Sequence, residues 1–178
     1  MPFATKPCVW LVQHLLNPAY LSLTRETVMS TTLPPINPTL DTSRHKAIPQ
    51  IQSNPHFAQI GGVEGINRLV ERFYFHMNSQ PQAMAIRGMH AADLTETKAV
   101  LVLFLAEWLG GPKVYSSRHG HPRLRQRHAM FGIGTAERDA WMLCMRLAMQ
   151  DEITQPALRQ QLEQAFFKTA DFIRNQQT

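Results

Sequence analysis

The stretch from position 93 to position 112 constrains the fold more than any other part of the chain. It opens with Asp93, which can cap a helix together with Glu96 three residues later, and it closes with GGP at 110–112, a sequence that ends helices. Between these limits the run AVLVLFLA at 99–106 is apolar on nearly every face of a helix. Because such a helix must be covered on more than one side, the chain has to fold as several helices packed around it.

Three further segments carry apolar residues at the three- and four-residue spacing of a helix. The first follows a pair of glycines and covers 63–77, the second covers 136–150, and the third begins at Pro156, which suits a first helical turn. No segment shows the alternation of a strand. The sequence therefore predicts an all-α domain over residues 57–178. Its buried positions are predicted to include Val63, Tyr74, Trp141, Cys144, Phe166 and Phe172.

Residues 1–56 differ from the rest of the chain. They hold prolines among serine, threonine and asparagine, without sustained periodicity, which is typical of a disordered, flexible extension. Met29 is a second candidate start, so one hypothesis is that the residues before it are a mispredicted extension. The predicted organisation is thus an extension at 1–56 and a helical domain at 57–178.

The balance of residue types is that of one globular domain. Of the 178 residues, 44% are hydrophobic and 17% are charged. No apolar run approaches the length of a membrane span, and the first residues lack the cleavage pattern of an export signal, so we expect a cytoplasmic protein without membrane contact. Cys8 and Cys144 lie far apart and do not suggest a disulfide framework.

The segment HGHPRLRQRH at 119–128 concentrates histidines and arginines in a region without an acidic residue between Glu107 and Glu137. Such a segment can be solvated or can bind an anionic partner, a metal or a nucleic acid. Structural zinc sites usually close with four cysteine or histidine ligands, and no paired cysteines lie near the three histidines, His119, His121 and His128. Interleaved aromatic residues are missing too, so we expect no nucleic-acid partner.

A haem site explains the segment better. If Pro122 begins a short helix, Leu124 and His128 share one face, and the apolar residues Phe131 and Ile133 follow. His128 should then enter an apolar cavity while the arginines stay at its rim, as in a site where imidazole ligates iron and arginines meet the haem propionates. Each of these residues taken alone also fits an ordinary place in a core.

Five stretches resemble the group II truncated haemoglobins, and together they cover residues 57–178. They are GGVEGINRLVERFY at 61–74, MHAADLTETKAVL at 89–101, FLAEWLGGPKVY at 104–115, RHGHPRLRQRH at 118–128 and ERDAW at 137–141. The resemblance implies a truncated globin fold, which is a two-over-two helical sandwich around haem b.

The resemblance also implies a role for individual residues. It makes His128 the iron ligand on the proximal side. On the opposite, distal side it places the residues that meet a small ligand, which are Tyr74, His90, Thr97, Leu101 and Trp141. Besides His128, the residues expected to contact haem are Leu101, Phe104, Tyr115, Arg127 and Phe131, with Tyr115 and Arg127 at the propionates.

The sequence departs from the family pattern at two positions. His90 stands where many relatives carry tyrosine or phenylalanine, which affects the distal hydrogen bonds and their pH dependence. Met130 follows the proximal segment where proline is frequent, so we expect a less rigid loop there.

Three functions fit these features. The first is reversible binding of dioxygen, nitric oxide or carbon monoxide at ferrous haem, with high oxygen affinity because Tyr74 and Trp141 can donate hydrogen bonds while Thr97 leaves a path for the ligand. The second is a haem enzyme that acts as a nitric oxide dioxygenase or uses peroxide, and it needs a separate reductase. The third is a basic helical adaptor without a cofactor. An oligomer is compatible with all three.

Overall fold

The computed structural model describes residues 54–177, and all regular structure in this range is helical. Residues 1–53 of the predicted extension, with Met29, lie outside the described residues. The elements are α1 (His56–Gln59), α2 (Gly62–Ser79), a 3-10 turn (Pro81–Ala83), α3 (Met84–Gly88), α4 (Thr95–Trp108), α5 (Val114–His119), α6 (Leu124–His128), α7 (Thr135–Glu152) and α8 (Pro156–Ile173). The all-α prediction is confirmed.

The four long helices form two packed pairs. Helix α2 packs against α4, α7 packs against α8, and the two layers meet mainly where α2 crosses α7. The interface between the layers is filled by fully buried side chains, among them Ile66, Leu69, Phe73, Met77, Met142, Met145 and Leu162. This is the expected two-over-two sandwich. Within residues 54–177, no helix combines the length and the apolar character needed to cross a membrane.

Helix α4 begins and ends close to its predicted limits. At its start, an Asp93 side-chain oxygen accepts a hydrogen bond from the Thr95 backbone N–H over 2.9 Å. At its end, Gly110 adopts φ +98°, a left-handed conformation that glycine accepts without strain. The Gly111 N–H then reaches back to the Ala106 carbonyl over 2.8 Å and closes a Schellman motif.

Helix α5 is a part of the fold that the sequence did not predict. Its residues, VYSSRH, include β-branched and serine residues that disfavour an isolated helix. The Glu107 carboxylate accepts a hydrogen bond from the Ser116 backbone N–H in the first turn over 2.8 Å, and this bond holds the pKa of Glu107 below its usual value. The start of α5 is thus satisfied by a side chain from the preceding helix.

Two of the predicted buried positions are wrong. Phe172 is 60% exposed in the last turn of α8, where the Arg125 guanidinium lies over its ring at 5.5 Å. Val63 is 44% exposed in the first turn of α2. Periodicity identifies the apolar face of a helix, but it does not show how far along that face a neighbouring helix extends.

Candidate functional site

A cavity of about 220 Å³ opens beside α4, between α3, α6, α7 and α8. Its wall is largely hydrocarbon and aromatic surface. The apolar residues that line it, beyond those predicted as site residues, are Ile86, Met89, Ala91, Leu105, Trp108, Leu124, Ile133, Phe166, Ala170 and Ile173. An apolar wall of this kind strengthens a polar contact made inside the cavity.

The cavity brings together most of the residues predicted to form the site. Its lining includes His90, Thr97, Leu101, Phe104, His128, Phe131 and Trp141. Three other predicted site residues, Tyr74, Tyr115 and Arg127, lie outside the lining. Tyr74 is buried directly behind His90, whereas Tyr115 lies in α5 and Arg127 lies in α6.

His128 is the last residue of α6, and its ring orientation is set by its own helix. The Nδ1–H donates to the Leu124 carbonyl one turn earlier over 2.7 Å, because a carbonyl can only accept. Nε2 therefore carries the lone pair. Burial lowers the pKa of this histidine, so the ring is neutral at pH 7. A neutral imidazole with one nitrogen fixed by a backbone carbonyl is the form that ligates a metal through the other nitrogen.

His90, which lines another part of the same cavity, has the same local arrangement. Its Nδ1–H donates to the Ile86 carbonyl over 2.8 Å, and its ring meets the Tyr74 ring edge-on at 5.7 Å. Burial lowers the pKa of His90, and the nearby Arg87 guanidinium lowers it further. His90 is therefore also neutral at pH 7.

Trp141 and Tyr74 are held in place by aromatic packing. The Trp141 ring lies 5.2 Å from the Phe73 ring and 5.8 Å from the Phe166 ring, measured between centroids, and its indole N–H can only donate. Tyr74 is 3% exposed, and burial raises its pKa, so its hydroxyl keeps its proton. The two aromatic groups thus offer neutral donors near one side of the cavity.

Arg127 and Tyr115 organise the segment that leads to His128. Arg127 donates from Nε to the Pro122 carbonyl over 2.9 Å and from Nη2 to the His119 carbonyl over 3.3 Å. The Tyr115 ring packs edge-on against Phe104, which lines the cavity, at 5.5 Å.

A second cavity of about 360 Å³ adjoins the first and shares part of its wall, including Phe104, Trp108 and Leu124. Basic side chains reach this cavity from two directions, with Arg123 beside α6 and Lys168 on α8. The combined cleft has an apolar interior and a cationic side, which suits an apolar group that carries carboxylates.

Sequence reasoning missed the wall that α8 contributes. Phe166, Thr169, Ala170 and Ile173 line the cavity, and they follow the spacing of one helical face. That spacing could have indicated a cavity wall, but the same spacing is found on a helix face that is buried in the core. Arg138 also lines the cavity, where its charge is balanced by Asp171 at 2.6 Å.

The three histidines of the 119–128 segment do not form a metal cluster. His121 is exposed and its Nδ1 accepts a hydrogen bond from the Arg123 N–H, while the His119 ring lies against Tyr115. In the part of the chain that the structure describes, no group of three or more His, Cys, Asp or Glu side chains is arranged to hold a metal ion.

Residues 56–175 match the bacterial-like globin family. The chain belongs to the bacterial-like globins. The group 2 truncated hemoglobin YjbI of Bacillus subtilis (strain 168) is 42% identical over 88 residues, which make up 49% of this chain and 64% of the Bacillus protein, so the match spans less than two thirds of that relative.

Solved structures of this globin's relatives agree with its fold. A cold-adapted truncated haemoglobin from the Antarctic marine bacterium Pseudoalteromonas haloplanktis TAC125 is 37% identical, with a TM-score of 0.67 over 68% of this chain and 98% of that one. A group II 2-on-2 haemoglobin from the plant pathogen Agrobacterium tumefaciens is 40% identical, with a TM-score of 0.66 over 68% and 95% of the two chains. These relatives place the globin in group II of the truncated haemoglobins.

Membership of the family implies a haem-binding role, and the residues of the cleft fit haem. The apolar cavity suits a porphyrin ring, and the cationic side suits its carboxylates. The neutral His128 ring keeps one nitrogen lone pair free for a metal, since its other nitrogen is committed to the Leu124 carbonyl.

Proposed function

We propose that this globin holds haem b through Nε2 of His128 and reversibly binds dioxygen and other diatomic ligands, including nitric oxide and carbon monoxide, at ferrous iron. The observation that carries the proposal is the 2.7 Å hydrogen bond from His128 Nδ1–H to the Leu124 carbonyl, inside an apolar cavity. Haem would supply the electron-rich metal for these ligands, and the protein would supply one nitrogen ligand from His128, an apolar pocket and hydrogen-bond donors.

The haem is of the non-covalent b type in this proposal. Cys144 is the only cysteine within residues 54–177, and it is buried in the protein core rather than on the cavity wall. Leu101, Phe104 and Phe131 supply apolar contacts to the porphyrin. Arg127 uses Nε and Nη2 on backbone carbonyls, which leaves Nη1 for a propionate.

The ligand pocket in this proposal lies on the side of Trp141, His90 and Thr97. Trp141 donates a hydrogen bond to the partly negative outer atom of the ligand, and Tyr74 adds a neutral hydroxyl behind His90. Donors in a dry pocket slow ligand release, which raises affinity. Thr97 is small and leaves room for the ligand to reach the pocket.

The visible spectrum of the full chain tests the proposal. With hemin added, we expect an intense haem band in the wild type that is lost or strongly shifted in His128→Ala. His56→Ala is the matched control, because His56 bonds to Gln161 away from the cavity. In His128→Gly, added imidazole should restore the band. A wild-type band that is unaltered in His128→Ala contradicts the assignment of the ligand.

The contact between Tyr74 and His90 favours a second candidate function on the same haem. Two neutral groups that can each pass a proton lie next to each other beside the cavity, which suits an enzyme that turns over peroxide or combines dioxygen with nitric oxide. Such turnover requires electrons from a separate reductase. Rates of nitric oxide consumption and peroxide turnover with an added reductant distinguish this enzyme from a carrier.

A further inference from the structure

The loop that follows His128 is held from outside by residues that come directly after α8. It joins α6 to α7 and contains Met130, which is 64% exposed. No proline stiffens this loop. Its backbone is instead bound by Asn175, which lies just beyond the end of α8.

Both the nitrogen and the oxygen of the Asn175 side-chain amide form hydrogen bonds with this loop. Its Nδ2 donates to the Phe131 carbonyl over 2.8 Å and to the His128 carbonyl over 3.2 Å. Its Oδ1 accepts from the Ile133 N–H over 2.9 Å. A primary amide carries both an N–H₂ donor and a carbonyl acceptor in one group. The asparagine side chain therefore matches two backbone carbonyls and one backbone N–H.

The segment that carries Asn175 is itself anchored. Arg174 donates to Asp171 over 2.7 Å, and Asp171 also pairs with Arg138 of α7. The backbone N–H groups of Asn175 and Gln176 both donate to the Ile133 carbonyl, over 2.9 and 3.1 Å. The Asn175 amide is therefore presented to the loop by a backbone that is itself held by hydrogen bonds.

We propose that Asn175 is a positioning residue for the iron ligand His128, and this inference rests on the proposed haem function. Helix α6 has only five residues, and a helix this short is not stable by itself. The bond to Leu124 sets the rotation of the His128 ring, while Asn175 fixes the backbone from which the ring projects. Without the amide, the ring nitrogen is free to shift relative to the iron, which weakens the bond between them.

The test uses the full chain loaded with hemin. Asn175→Ala removes all three side-chain bonds, and Asn175→Asp keeps an acceptor for Ile133 but presents a carboxylate to two carbonyl oxygens. Gln176→Ala is the matched control, since it removes a neighbouring side chain and keeps the backbone bond to Ile133. Two quantities are measured for each variant, the rate of hemin transfer to an apomyoglobin acceptor and the iron–histidine stretching frequency of the ferrous protein.

We expect both Asn175 variants to lose hemin about 10-fold faster than the wild type and to lower the iron–histidine frequency, with Gln176→Ala unchanged. Unchanged hemin loss and frequency in both variants overturn the proposal. So does faster hemin loss with an unshifted frequency, because that result marks a general loss of stability. If His128→Ala retains the wild-type spectrum, the proposed haem ligand fails and the Asn175 proposal fails with it, whereas an altered His128→Ala spectrum with unaltered Asn175 variants overturns the Asn175 proposal alone.

Discussion

Replacing Trp141 with phenylalanine removes one hydrogen-bond donor from the cavity wall and leaves an aromatic ring in its place. The ring contacts with Phe73 and Phe166, at 5.2 and 5.8 Å between centroids, are of a kind that phenylalanine can also make. The substitution therefore separates the donor from the packing. If Trp141 stabilises a bound ligand, dioxygen must leave the variant faster.

The size of the effect follows from the surroundings of the indole. The cavity wall is apolar, and the outer atom of bound dioxygen is partly negative, so the lost bond resembles a hydrogen bond to a charged group. Such a bond contributes about 1.5–3 kcal/mol. At about 1.4 kcal/mol for each factor of ten, the dioxygen off-rate should rise about 10- to 100-fold.

Stopped-flow displacement of dioxygen by carbon monoxide measures this off-rate. Trp108→Phe is the matched control, because Trp108 also lines the cavity and stacks on Phe166, at 5.1 Å, but lies at the end of α4 near the second cavity. We expect Trp108→Phe to leave the off-rate within about twofold of the wild type. An off-rate in Trp141→Phe that is no faster than in Trp108→Phe refutes the donor role.

Two further predictions concern the stability of the protein without haem, measured by urea unfolding. A Cβ on Gly65 would overlap the Ile60 carbonyl, whereas a Cβ on Gly88 would meet nothing within 4 Å. Gly65→Ala should therefore lower the free energy of unfolding by about 1–3 kcal/mol, and Gly88→Ala should not lower it. Equal free energies of unfolding in the two variants contradict the close approach at Gly65. Burial lowers the pKa of His90 and His128 from 6.5, so the unfolded chain binds more protons below that value. The free energy of unfolding should be highest above pH 6.5 and should fall as the pH drops toward the lowered values, by up to about 1.4 kcal/mol per pH unit for each histidine. His90→Phe should reduce the slope of the free energy of unfolding against pH. An unchanged slope in this variant contradicts the contribution assigned to His90.

The long helices were predictable because their signals are local. Apolar spacing identifies a helix wherever one face packs on a neighbour, and the stop at Gly110 needs only a residue that accepts a positive φ. Pro156 begins α8 for a similar reason, since its missing N–H has no role in a first turn. Helix α5 lacks such local signals, because the group that satisfies its first turn is the Glu107 carboxylate.

The candidate site was predictable only in part. Its motif residues could be carried over from a resemblance, and the lining includes His90, Thr97 and Trp141 as expected. Tyr74 lies behind the cavity wall, and the Arg127 side chain is bound to backbone carbonyls. Both positions depend on how the helices pack, which residue spacing does not predict. The Asn175 bonds join residues more than forty positions apart and leave no pattern in the sequence.

One local rule nevertheless links the two cavity histidines. His90 and His128 each follow an aliphatic residue by four positions, Ile86 and Leu124, and each donates from Nδ1 to the carbonyl of that residue. Where a short helix ends at a cavity, this bond to the helix's own backbone fixes the imidazole ring and turns Nε2 outward. Both imidazoles are therefore neutral with an outward nitrogen, and what distinguishes them is their surroundings. Leu124, one turn before His128, also borders the second cavity with its basic residues Arg123 and Lys168, which suit haem carboxylates, whereas His90 packs edge-on against Tyr74 on the side proposed for the small ligand.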